Sequence, residues 1–179
     1  MAFILADIGV PMIMLQFPAM IFALVPVIII EALFASRMLC LQKLRAFRGA
    51  GLANIFSTIA GVPLAWFVMV LIMLATTHGY LYGGRSPLMA TLFFLLNIAW
   101  LSPDQRNLYW MVPSAMALLL IPSFFVSVWL ELWVCRQVWN DLDRALVRRV
   151  VFKMNLASYA LLFLAAGGWL AYAVLTGVR

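Results

Sequence analysis

Two glutamates interrupt apolar runs, Glu31 in VPVIIIEAL and Glu131 in SVWLELW. An ionisable side chain inside such a run is costly and needs either a partner or a task. After each glutamate comes an arginine, Arg37 or Arg136, and then an Asn-x-x-Ser that opens the next apolar run. These are Asn54 and Ser57 in ANIFST, and Asn155 and Ser158 in MNLASY, and the Glu-to-Asn separation differs between the halves by a single residue. The Glu-to-Arg spacings of six and five residues do not match the i to i+4 spacing that puts two side chains on one helix face. Each carboxyl must therefore find its partners on another helix, and the Asn and Ser residues enter from the same side at nearly the same depth. The spacing predicts a polar clamp in which each glutamate accepts from an Asn amide and a Ser hydroxyl, groups that lipid cannot satisfy. Two uses fit such a clamp. It can be polar glue between two hairpins, or it can hold a proton or cation near one membrane face.

Other chemistry is thinly represented. His78 is the only histidine and stands in a stretch read as a turn, HGYLYGG, with no cysteine or carboxylate cluster beside it, so no metal or haem site is expected. Cys40 and Cys135 show no CxxC spacing of the kind that marks metal or redox work. No GxSxG, HExxH or phosphate-loop pattern is present, and no catalytic residue or cofactor is expected. The basic balance, +6 with pI near 9.9, is explained by membrane orientation rather than nucleic acid.

The elements that would carry these residues follow from composition. The chain has 179 residues, 67% hydrophobic and 10% charged, with mean hydropathy +1.09; a soluble domain is about 25% charged. An all-α, integral membrane four-helix bundle is expected, a single domain with spans over about 8–34, 55–77, 108–134 and 156–178. The apolar segment 88–101 is short for a crossing and is expected to be an extra interfacial or re-entrant helix. Charge supports four crossings. Arg37, Lys43, Arg45 and Arg48 lie between the first two spans, and Arg136, Arg144, Arg148, Arg149 and Lys153, with Asp141 and Asp143, lie between the last two. Nine of the twelve basic residues thus fall in two connections, 37–53 and 136–153. Both connections share the cytoplasmic side only if 88–101 does not cross. Both termini are then on the outer side of an inner, cytoplasmic membrane.

The recurring Glu, Arg, Asn and Ser make the two halves a parallel repeat of helical hairpins, with departures at Pro26 against Val126 and Gly61 against Leu162. The basic connections show helical spacing, Met38, Leu41, Leu44 and Phe47 or Ala46 in one and Val138, Trp139, Leu142, Ala145, Leu146 and Val150 in the other. They are read as helical extensions whose basic residues meet anionic lipid headgroups or the acidic surface of a partner. Small residues in the second span (Ser57, Thr58, Gly61, Ala65) and in the fourth (Ala165, Ala166, Gly167, Gly168, Ala171) are read as packing faces. Pro18 and Pro26 would bend the first span. The functional expectation is a non-catalytic subunit or binding partner in an inner-membrane assembly, or a homo-oligomer. The alternative is a small oligomeric proton or cation transporter or channel using Glu31 and Glu131.

Overall fold

The computed structural model describes residues 12–82 and 108–176, and all of its regular structure is helical. Four helices follow one another: α1 (Met12–Met38), α2 (Lys43–Tyr82), α3 (Leu108–Val138) and α4 (Arg144–Thr176). Three of them contain stretches long and apolar enough to cross a membrane: Met20–Met38, Val112–Val138 and Arg144–Thr176. The expected crossing at 55–77 lies on α2, the longest of the four. The segment 88–101 lies outside the described residues.

α1 packs on α2 and α4, α3 packs on the same two, and α1 and α3 touch lightly across the diagonal. That is the ring of neighbours of a four-helix bundle. The basic connections, expected over 37–53 and 136–153, are almost entirely helix; only 39–42 and 139–143 leave it. The first turn closes with Leu41 N–H donating to the Ser36 carbonyl at 3.1 Å while Cys40 adopts φ 50°, a left-handed helix stop usually filled by glycine. The second is one residue longer and starts α4 on an Asp143 cap, whose Oδ2 accepts from Leu146 N–H at 2.9 Å, satisfying one of the free amides of the first turn. Residues 78–82, read as a turn, instead continue α2 to Tyr82. Gly79 within them costs a helix about 1 kcal/mol and does not end it.

The inside is marked by fourth-residue stripes. On α1 these are Val27, Glu31 and Ala35, continued by Leu39 in the turn; on α3, Leu130 and Glu131, then Cys135, continued by Trp139 in the turn. On α2 they are Ala46, Ala50, Ala53, Asn54 and Ser57, and on α4 Val147, Val151, Met154, Asn155 and Ser158. Matching positions of the two hairpins are offset by one more residue after the turns than before them, so the extra residue of the second turn is the whole difference between the hairpins' registers.

The helix faces refine two readings of the sequence. Leu44 and Phe47 are 61% and 50% exposed, while the buried face of α2 at the turn end is Ala46, Gly49, Ala50 and Ala53. With no water at the outer surface, large apolar groups are not driven inward, and small residues let helices approach. On α4 the expected packing residues Ala165, Gly167, Gly168 and Ala171 face outward, and a Cβ built on either glycine meets nothing within 4 Å; Ala166 and Ala173 are the buried ones. On α2 the expectation holds at Gly61, where a Cβ would lie 3.7 Å from Val126.

Candidate functional site

All six residues of the expected clamp come together in the bundle centre, each no more than 5% exposed. α1 and α3 deliver the glutamates about two turns before their C-terminal ends, and α2 and α4 deliver the Asn and Ser from their N-terminal halves. Asn54 Nδ2 donates to Glu31 Oε2 at 2.6 Å, and Ser158 Oγ donates to Glu31 Oε1 at 2.6 Å. Asn155 Nδ2 donates to Glu131 Oε2 at 2.6 Å, and Ser57 Oγ donates to Glu131 Oε1 at 3.1 Å. Each glutamate is therefore held by the asparagine of its own hairpin and the serine of the other.

The supporting contacts repeat as well. Each asparagine spends its second amide hydrogen on the carbonyl four residues earlier, Asn54 on Ala50 at 2.9 Å and Asn155 on Val151 at 3.1 Å. This fixes the amide rotamers. Each serine has one hydroxyl hydrogen and two acceptors in reach: Ser57 faces Glu131 and the Asn54 carbonyl, and Ser158 faces Glu31 and the Asn155 carbonyl, both carbonyls at 3.1 Å. The amides can only donate to the carboxyls, whereas the hydroxyls can either donate or accept. Asn155 Oδ1 is buried and has no hydrogen-bond partner among the described residues.

Among the described residues no basic side chain neutralises the pair. Arg37, Lys43, Arg48, Arg136, Arg144, Arg148, Arg149 and Lys153 are all exposed around the turn end. Arg45 pairs instead with Asp141 across the two turns, a link the spacing had not indicated. The Arg45 guanidinium holds the Asp141 carboxyl below its ordinary range.

Below the clamp, the turn end is a packed apolar cluster of Ala35, Leu39, Ala46, Ala53, Cys135, Trp139, Val147, Val150, Val151 and Met154. Trp139 lies against Gly49 so closely that a Cβ there would be 2.4 Å from the ring. Above the clamp there is a cavity of 120 Å³, bounded by all four helices. Its polar lining is Asn54, Ser57, Thr58, Ser123, Ser127, Glu131 and Tyr159. Ser123, Ser127 and Tyr159 were missed by sequence reasoning. Their signal was positional, since Ser123 and Ser127 precede Glu131 by two turns and one turn on one helix face. Ser127 Oγ and Tyr159 Oη share a hydrogen bond at 2.8 Å. Among the described residues no group of three or more His, Cys, Asp or Glu side chains gathers as a metal site. Comparison with family models, curated proteins and solved structures finds no match to this chain.

Proposed function

We propose that this chain is a small multi-pass membrane protein that takes up and releases a proton or small cation at the Glu31–Glu131 pair, as a transporter or channel subunit that works in an oligomer. The observation that supports it is the pairing itself. Two carboxyl groups are buried together inside an apolar bundle, four donors serve their four oxygens, and no Lys or Arg among the described residues approaches them. Two unneutralised charges there would repel in a low dielectric, so a positive species from outside the chain must accompany them. In this reading the turn end with its exposed basic residues faces the cytoplasm and binds anionic headgroups, and both termini lie on the outer side of the inner membrane.

Vesicles containing the purified chain and an internal pH dye provide the test, with sodium- and potassium-selective dyes in parallel. The expected result is a flux lost in the double variant Glu31→Gln with Glu131→Gln. A flux that survives both substitutions overturns the assignment.

A second reading, a non-catalytic subunit held in a larger membrane assembly, is favoured by the outward Gly167–Gly168 face, where a neighbouring helix could approach closely. Gentle extraction of native membranes followed by mass measurement decides it. A partner at fixed stoichiometry supports it, and a lone monomer counts against it.

A further inference from the structure

The relation between the hairpins holds inside the clamp and breaks immediately above it. One and two turns before Glu131, α3 carries Ser127 and Ser123; at the matching positions before Glu31, α1 carries Val27 and Ala23. All four line the cavity, but only one of the two carboxyl residues does, Glu131. One cavity wall is thus a ladder of hydroxyls ending on a carboxyl, and the facing α1 wall is hydrocarbon. Rungs one helical turn apart are separated by about 6 Å along the helix, a gap one water can bridge. The cavity of 120 Å³ has room for several waters at about 10–15 Å³ each, and the hydroxyls supply the partners that such waters need.

We propose that this cavity is a water-filled route for a proton and that Glu131, not Glu31, is the carboxyl that exchanges it. The inference rests on the proposed role of the carboxyl pair and narrows its substrate from any small cation to the proton. The serines are the reason. Two of the four carboxyl oxygens face asparagine N–H groups that can only donate, which opposes a metal ion there, and the other two face serine hydroxyls. A proton meets no such opposition at Ser57. Hydronium in the cavity transfers H⁺ to Glu131 Oε1 and leaves as water. The new O–H donates to Ser57 Oγ, whose own hydrogen turns to the Asn54 carbonyl at 3.1 Å. The Ser57–Glu131 bond is kept with its direction reversed, so the clamp holds in both states. Asn155, the residue that grips Glu131, also carries a buried Oδ1 without a hydrogen-bond partner among the described residues. The titratable groups that face Glu131 are Glu31 from α1, Tyr159 from α4 and Cys135 one turn along its own helix; among the described residues α2 presents Asn54 and Ser57.

Infrared spectroscopy of the full chain in lipid vesicles tests this by following the C=O stretch of protonated carboxyl groups after transfer from H₂O to D₂O. The expected result is an exchanging band that Glu131→Gln removes and Glu31→Gln leaves in place. The paired substitution Ser123→Ala with Ser127→Ala, which removes only two hydroxyls, should slow both the exchange and the proton flux at least tenfold. Wild-type rates in that serine variant, or loss of the band in Glu31→Gln alone, would overturn the route. If flux vanishes in the double glutamine variant yet ignores the serines, the route fails and the carboxyl-pair reading stands. If no carboxyl exchanges and nothing is transported, both fail together. Flux that follows a sodium gradient and ignores a pH gradient overturns the proton and leaves the cation reading.

Discussion

The first hairpin turns in four residues and needs a left-handed cysteine to do so; the second turns in five and starts its return helix on an aspartate cap. Beyond these unlike turns the polar groups arrive at equivalent places, while the apolar ones do not match in size. On α2 the buried turn-end residues are Ala46, Gly49, Ala50 and Ala53, and at the corresponding places α4 has Val147, Val150, Val151 and Met154. Leu39 of the first turn answers to Trp139 of the second, and Trp139 occupies the space that Gly49 leaves. Hydrogen bonds tolerate little variation in length and angle, so the clamp positions are held in both copies. Apolar packing constrains total volume more than its division between neighbours, so volume has moved from one hairpin to the other.

The largest expected effect tests that exchange of volume. Trp139→Ala should cost about 3–5 kcal/mol, the range for truncating a buried aromatic, read as a lowered unfolding midpoint in detergent. Trp139→Leu should cost less, and adding Gly49→Ala to it should recover part of the loss; strictly additive costs would mean the two sites do not share volume. Next come the clamp arms. Glu31→Ala should destabilise by about 0.6–2 kcal/mol, in the range for hydrogen bonds between membrane helices. A double-mutant cycle should couple it to Ser158→Ala on the other hairpin, by about 0.5 kcal/mol or more, and more strongly than to Ser57→Ala, whose hydroxyl serves Glu131. Equal coupling to both serines would erase the crossed pattern.

Smaller still is the turn. Cys40→Gly should stabilise by about 0.5–1 kcal/mol by relieving a left-handed residue, whereas Asn140→Gly in the other turn, with no positive φ, should not stabilise at all. The smallest effect belongs to Asp141, which is exposed. Its carboxyl is held low by Arg45, so the pair contributes above the ordinary carboxyl value of 3.8 and is lost as acid titrates the folded form. Unfolding midpoints of wild type and Asp141→Asn should differ slightly at neutral pH and converge in acid; a difference that grows in acid would reverse the sign.

How much was readable beforehand depended on whether a residue stands out against hydrocarbon. Glu31, Asn54, Ser57, Glu131, Asn155 and Ser158 do, and their spacing alone was enough to bring them together. The four-helix count was readable for the same reason, from four long apolar runs with basic residues gathered in the first and last connections between them. Which serine serves which glutamate was not, because crossing between hairpins depends on helix rotation and not on spacing along one helix. The choice between Phe47 and Ala46 on α2 stayed open because size does not mark the interior where the outside is also apolar. The hydroxyl ladder was overlooked because a serine in a membrane helix is ordinary by itself. Only the contrast of Ser123 and Ser127 with Ala23 and Val27, one repeat earlier, makes it conspicuous.

The crossed arms also bear on how such a chain could arise. A first hairpin taken alone contains one Glu, one Asn and one Ser in the register the clamp requires, so two identical copies could complete each other's carboxyls as a symmetric homodimer. What two such copies would lack is Trp139, and with it anything to fill the space at Gly49. Symmetry obliges a homodimer to place the same residue on both sides of its axis. Joining the copies in one chain lifts that obligation: one half can become small and the other large, and one glutamate can gain a hydroxyl ladder while its twin stays sealed.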